Sequence, residues 1–142
     1  MTATSTKRAR YQVLIDSDAF VGWLYEKDGH HAEASRIFAQ LEDQQLVPVV
    51  TSLVVADAAT VLSHREGQSL AQTFLDLVRR YPVIHITKPL QQQALDLFQA
   101  QRARGTSVTD CANVVVMRQY QIPTIFSFDQ VYPKAFGLTP AA

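Results

Sequence analysis

The strongest constraint on this chain is an alternation. Short apolar runs, each too brief for a helix, are separated by longer segments whose apolar residues recur every three or four positions. Tyr11 to Asp16 is the first run, and its unbroken Val13-Leu14-Ile15 is the pattern of a strand covered on both faces. Leu46 to Val50, Val83 to Ile86 and Thr124 to Phe128 are the others. Parallel strands need long crossovers, and helices between them cover both faces of the sheet. The order therefore predicts an α/β fold: a three-layer sandwich around a central parallel sheet of four or five strands.

The helical segments carry their own punctuation. Asp18 to Tyr25 turns Phe20, Val21 and Leu24 inward and is broken at Lys27-Asp28-Gly29. His31 to Gln44 places Ala34, Ile37, Phe38 and Leu41 at helical spacing. Pro48 inside the second run predicts an edge position or an irregularity. Thr51-Ser52 then caps a helix over Leu53 to Arg65, and Gln68 to Arg80 forms another. Lys88 to Arg104 predicts a long helix with Gly105 as its C-cap. Ser107 to Tyr120 is the last full helix, and Asp129 to Leu138 a short helix or turn packed by Tyr132 and Phe136. No linker or repeat divides the chain, so residues 11–142 read as one domain behind a flexible tail at residues 1–10.

Bulk properties exclude several classes. A hydrophobic content of 47% supports a real core, and 18% charged residues is too few for a disordered chain. Thirteen basic residues balance thirteen acidic ones, which argues against duplex binding through bulk charge. Cys111 is the single cysteine, so no intrachain disulfide forms; on an apolar helix it reads as core. No apolar run approaches the roughly 18 residues of a membrane span. The small, polar, basic start lacks a signal-peptide core, so a cytoplasmic location is expected.

The acids are distributed unusually. Open parallel sheets build sites at the carboxyl ends of their strands. Asp16 and Asp18 follow the first strand, Asp129 follows TIFSF, and Asp110 stands in SVTD at a helix start. Asp57 lies in VVADAATVL, with apolar or small neighbours and no basic residue near it in sequence. Each has an ordinary explanation. Asp110 completes a capping box with Ser107, Asp129 suits a turn, and Asp18 suits an N-cap. Asp16 and Asp57 are harder to explain, because a carboxylate among apolar residues is costly without a partner. Together the acids favour a hard divalent cation, Mg²⁺ or Mn²⁺, over zinc, for which no ligand spacing exists.

The motifs carry a resemblance. The strand ending in Asp16-Ser17-Asp18, then TSLVVADAATVL, then SVTDCANVVVMRQYQIPTIFSFD, resemble a PIN-domain ribonuclease, most like the toxin of VapBC-type toxin–antitoxin modules. The resemblance spans roughly residues 11 to 138. It implies a PIN-like fold and Mg²⁺- or Mn²⁺-dependent cleavage of single-stranded RNA. It also implies a possible antitoxin partner and a homodimer. Carried over, Asp16, Asp57, Asp110 and Asp129 are the catalytic acids, and Asp18 joins them as a metal ligand. Ser17, Thr109 and Ser127 match hydroxyl residues that orient the carboxylates. Arg102, Arg104 and Lys134 are candidate RNA-backbone contacts, although basic residues near a helix C-terminus also complement its dipole. One departure stands out: the family normally has Glu where this chain has Asp57, one methylene shorter.

Two other readings compete. A strand ending in Asp-x-Asp also marks haloacid-dehalogenase-like phosphatases. Those need a Lys near a later acidic pair, and Lys27, Lys88 and Lys134 are not so placed. A PIN-fold protein with weakened catalysis that only binds partners is the other, kept open by Asp57.

Overall fold

The computed structural model describes residues 10–102 and 104–141. The tail expected at residues 1–10 lies, apart from Arg10, outside the described residues. The first strand, β1 (Val13–Ile15), runs into α1 (Ser17–Leu24) and α2 (His31–Asp43). Next come β2 (Pro48–Thr51), α3 (Ser52–Arg65), α4 (Gln68–Val78) and β3 (Val83–Ile84). The chain closes through α5 (Lys88–Gln99), α6 (Val108–Tyr120), β4 (Thr124–Phe126), α7 (Val131–Phe136) and β5 (Thr139–Pro140).

All five strands are parallel, in the order β3-β2-β1-β4-β5. β1 is therefore central, with Val13 opposite Pro48 on one side and Thr124 on the other. The strand period of two sorts its side chains between two cores. Val13 and Ile15 join Phe20, Phe38 and Phe74 on the face covered by α1 to α4. Leu14 joins Val114, Ile125 and Tyr132 on the face covered by α5 to α7. This is why Val13-Leu14-Ile15 is apolar without a break. Cys111 is buried, as its apolar helix implied.

Three expectations need correction. Pro48 does not mark an edge: it is the first residue of β2, an inner strand, where a missing N–H is tolerated. Helix α5 stops at Gln99, capped by Ala100, rather than reaching Arg104. Gly105 accordingly sits in the following loop, at φ +92°. The edge strand β5 has too few residues to show a period, and Gly137, in the left-handed region at φ +65°, turns the chain into it. Among the described residues, no helix is long and apolar enough to cross a membrane.

Candidate active site

Four of the five singled-out acids gather at the carboxyl ends of β1 and β4. The Asp16 backbone N–H donates to the Phe126 carbonyl at 2.9 Å, extending the β1–β4 ladder to the residue after the strand. Asp16 is also the N-cap of α1, its Oδ1 accepting from the Ser17 N–H at 2.8 Å. Asp18 follows in the first turn of α1. Asp110 sits at N3 of α6, in the expected capping box: it accepts from the Ser107 N–H at 2.9 Å and donates its own N–H to Ser107 Oγ at 3.0 Å. The cap and the site are not alternatives, since the other oxygen of Asp110 faces the cluster.

Four polar groups lie within hydrogen-bond distance of the Asp16 carboxylate. Asn113 Nδ2 joins the Ser17 N–H on Oδ1, at 3.2 Å. Ser127 Oγ at 2.9 Å and Tyr132 Oη at 3.0 Å meet Oδ2. Tyr132 Oη is also 3.0 Å from Asp110 Oδ1 and accepts from Asn113 Nδ2 at 2.9 Å. Thr51 Oγ1 donates to the Asn113 carbonyl at 3.4 Å. A phenol has one hydrogen, so Tyr132 can donate to only one of the two carboxylates it bridges. A second hydrogen, carried by a carboxyl group, or a cation is needed to satisfy the pair.

Electrostatics point the same way. Burial raises the pKa of Asp16, opposed by the bonds from Ser17 and Ser127 and reinforced by the charge of Asp110. Burial, then the charge of Asp16, pushes Asp18 up to about 7, with Asp129 adding to the rise. Tyr132 is raised above the usual tyrosine range, by burial first and then by Asp16 and Asp110, so it stays a neutral donor. Among the described residues, no Lys or Arg pairs with Asp16, Asp18, Asp110 or Asp129.

Asp18 carries the clearest sign of a missing partner. Its Oδ2 accepts from the Phe128 N–H at 3.0 Å and lies 3.3 Å from Ser127 Oγ, whose single hydrogen it shares with Asp16, while its Oδ1 is buried without any hydrogen bond. Oxygen donors, mutual repulsion and an orphaned buried carboxylate oxygen fit a hard divalent cation. Among the described residues, no three His, Cys, Asp or Glu side chains close a metal shell by themselves. Mg²⁺ does not require that: it commonly keeps several waters and takes one or two carboxylates plus substrate phosphate.

The remaining candidates divide. Asp129 is exposed and forms a turn, accepting from the Val131 N–H at 2.9 Å while its own N–H meets Ser127 Oγ at 3.1 Å. Ser127 thus touches Asp16, Asp18 and Asp129 and organises all three. Ser17 contributes its backbone N–H to Asp16 rather than its hydroxyl, and Thr109 makes no bond to the acids. Asp57 is not buried. It is exposed and bonded to none of the other acids, because the inward stripe of α3 is Val54, Ala58 and Leu62, and Asp57 falls beside it. It lies one turn before Val61 and two before Arg65, which line a cleft of about 370 Å³ that also includes Asp18 and Asp129. Arg102, Arg104 and Lys134 are exposed and touch none of the acids. A larger apolar groove, about 560 Å³ beside Trp23 and Phe38, contains none of the five aspartates.

Asn113 and Tyr132 were not evident in the sequence. Asn113 had a faint signal, an amide in an apolar helix one turn after Asp110. Tyr132 reads as a packing residue, and nothing in its neighbourhood distinguishes its hydroxyl.

The raised Asp18 pKa has a consequence for the metal-free protein. Folded Asp18 keeps its proton to about pH 7, whereas the unfolded residue ionises near 3.8. Between those values the folded state binds more protons, so stability falls as pH rises through the window and levels off above it. Thermal denaturation of chelator-treated protein from pH 5 to 8 should show this fall, and Asp18→Asn should reduce it. A wild-type profile that matches the variant across the window would disprove the assignment.

The family model for the PIN domain matches residues 13–136. The fold is similar to that of VapC20 from Mycobacterium tuberculosis, a Sarcin-Ricin loop cleaving toxin, with TM-score 0.80 and 23% identity over 88% of this chain and 95% of that one. It is also similar to a chain of a toxin–antitoxin complex from Klebsiella pneumoniae, with TM-score 0.67 and 11% identity over 92% and 98%. VapBC2 from Rickettsia felis, bound to a DNA fragment from its promoter, gives TM-score 0.63 and 13% identity over 90% and 96%. No curated protein sequence matches. A five-stranded parallel sheet in this order, acids at its carboxyl edge and a family match across nearly the whole chain agree: the chain belongs to the PIN domain family.

Proposed function

We propose that this chain is a divalent-metal-dependent endoribonuclease that cleaves single-stranded RNA and acts as the toxin of a toxin–antitoxin module. The observation that carries this is the convergence of Asp16, Asp18, Asp110 and Asp129 with no Lys or Arg ion-paired to them among the described residues and an orphaned oxygen on Asp18. These four would hold Mg²⁺ or Mn²⁺ directly or through water. When bound, the metal supplies Lewis-acid polarisation of the phosphoryl oxygen and lowers the pKa of an attacking water. The chain's own residues do the positioning. Tyr132 and Asn113 fix Asp16 and Asp110 from the interior side, and Ser127 fixes Asp16, Asp18 and the Asp129 backbone. Asp57, on the α3 stripe leading to Val61 and Arg65, would act through water at the edge of the site. Arg102, Arg104 and Lys134 are exposed cations available to the RNA backbone. An antitoxin partner and a homodimer belong to the same proposal. The toxin–antitoxin complexes of similar fold support the antitoxin.

A second reading, a PIN-fold binding protein with weakened catalysis, is favoured by the exposure of Asp57 and its lack of any bond to the other acids. The phosphatase reading is not, since Lys27, Lys88 and Lys134 are all exposed and unpaired with the acids. One assay tests the three. Single-stranded RNA and a phosphomonoester are each incubated with the protein and Mn²⁺ or Mg²⁺, with and without chelator. Metal-dependent RNA cleavage is the expected result. Phosphomonoester hydrolysis without RNA cleavage would overturn the proposal, and inactivity that Asp57→Glu rescues would transfer it to the weakened reading.

A further inference from the structure

We infer that the cleft beside the acids is a nucleotide subsite, in which His30 stacks a base of single-stranded RNA and Arg65 meets its phosphate. The inference rests on the nuclease reading and names how the site would hold its substrate. His30 lies flat on Phe128: the ring centroids are 4.1 Å apart and the planes differ by 3°. His30 is exposed and lines the cleft, and with one ring face on Phe128 a base would stack on the other. Base–aromatic stacking of this kind is how single strands are commonly held, because every base has a π-face.

The platform is fixed to the acids. The Phe128 N–H donates to Asp18 Oδ2 at 3.0 Å, and its ring meets the buried Phe126 edge-on, with centroids 5.9 Å apart at 80°. Phe126 in turn packs on Phe38, with centroids 4.8 Å apart. On the other side, Asp28 holds both partners. Its Oδ1 accepts from the His30 N–H at 2.8 Å, and its Oδ2 accepts from Arg65 Nη1 at 3.1 Å. The Arg65 side chain is 53% exposed and spends one N–H on this bond. A guanidinium has five, so donors remain for a phosphate oxygen. The cleft holds about 370 Å³, within the range of small-ligand sites, and Asp18 and Asp129 line it together with His30, Arg65 and Phe128. A ring platform, a cation and the proposed metal carboxylates thus border one space.

The test measures binding separately from cleavage. Asp16→Asn protein binds a short fluorescein-labelled single-stranded RNA without cutting it, and His30 and Arg65 are varied in that background. His30→Ala is expected to weaken binding by about 5- to 150-fold, the range for one stacked base, whereas His30→Phe retains it. Arg65→Gln should reduce the slope of log affinity against log salt by about 0.7, the value for one phosphate on a single strand. A series of RNAs, each lacking one base, separates stacking from a merely structural role. One position should weaken binding in the parent and have no further effect in His30→Ala. If the wild type cleaves RNA but both variants bind like their parent, or no position couples to His30, the subsite is overturned and the nuclease stands. If the wild type cleaves no RNA, the functional reading itself falls and the subsite with it.

Discussion

Asp16→Asn is expected to lower RNA cleavage by more than 100-fold while leaving the metal-free protein at least as stable as the wild type at neutral pH. Loss of a residue that only supports a metal ligand typically costs about 10- to 100-fold. Asp16 would be a ligand itself and has four polar groups within hydrogen-bond distance, so its removal should exceed that range. The stability half follows from hydrogen counting. Asn keeps one acceptor oxygen, which can stay on the Ser17 N–H and Asn113 Nδ2. Its amide then faces Ser127 Oγ and Tyr132 Oη, two hydroxyls that can turn and accept. Tyr132 is freed to donate its single hydrogen to Asp110. A buried charge that raises the pKa of Asp18 also disappears. Cleavage assays and thermal denaturation in chelator check both halves. Wild-type cleavage by the variant would remove Asp16 from the mechanism. A large loss of stability would mean that the carboxylate is needed for the fold, and the hydrogen count would be wrong.

Phe20→Ala is expected to destabilise the protein by roughly 3–5 kcal/mol, the usual cost of emptying a buried aromatic site. At roughly 2–4 °C per kcal/mol for a chain of this size, the loss is plain in a melting curve. Phe20 is fully buried and touches three rings: Phe38 at 5.6 Å, Phe74 at 5.2 Å and Tyr81 at 5.6 Å between centroids. Those rings come from α2, from α4 and from the segment between α4 and β3, so the cavity cannot collapse by moving one element. The effect should also reach the site. Phe20 stands two residues after Asp18 on the same helix and anchors α1 against the core. Mn²⁺ affinity, measured by calorimetry well below the melting temperature, should fall with stability. Unchanged affinity would mean that Asp18 is held by β4 alone.

The central strand was legible because it is fully buried. Val13-Leu14-Ile15 has no polar position, and a strand facing two helical layers allows none. Asp16, Asp18, Asp110 and Asp129 were legible for a related reason, since each sits where a strand ends or a helix begins, and chain order alone brings those points to one edge. The exposure of Asp57 is not legible in the sequence, because apolar neighbours along a helix are not apolar surroundings in space. Helical spacing puts Val54, Ala58 and Leu62 inward and leaves Asp57 at the margin. The roles of Asn113 and Tyr132 could not be read along the chain. Tyr132 meets Asp16 across a sequence separation of 116 residues and Asp110 across 22, and only the folded sheet makes those distances 3.0 Å. The edge strand β5 escaped for another reason: Thr139–Pro140 is too short to show any period.

The central position of β1 bears on when the acid-bearing edge can exist during synthesis. β1 emerges first, yet one of its two neighbours, β4, begins only at Thr124. Until β4 is made, Asp16 has neither the Phe126 carbonyl nor the Ser127 hydroxyl to hold it, and Tyr132 comes later still. Pairing so distant in sequence also forms late because of its loop-closure cost. A nascent chain stalled before β4 therefore carries its first aspartates in an unassembled site. The acid cluster is therefore held together only once the chain through Tyr132 is available, and truncation anywhere before Tyr132 leaves Asp16 and Asp110 without the hydroxyl that bridges them.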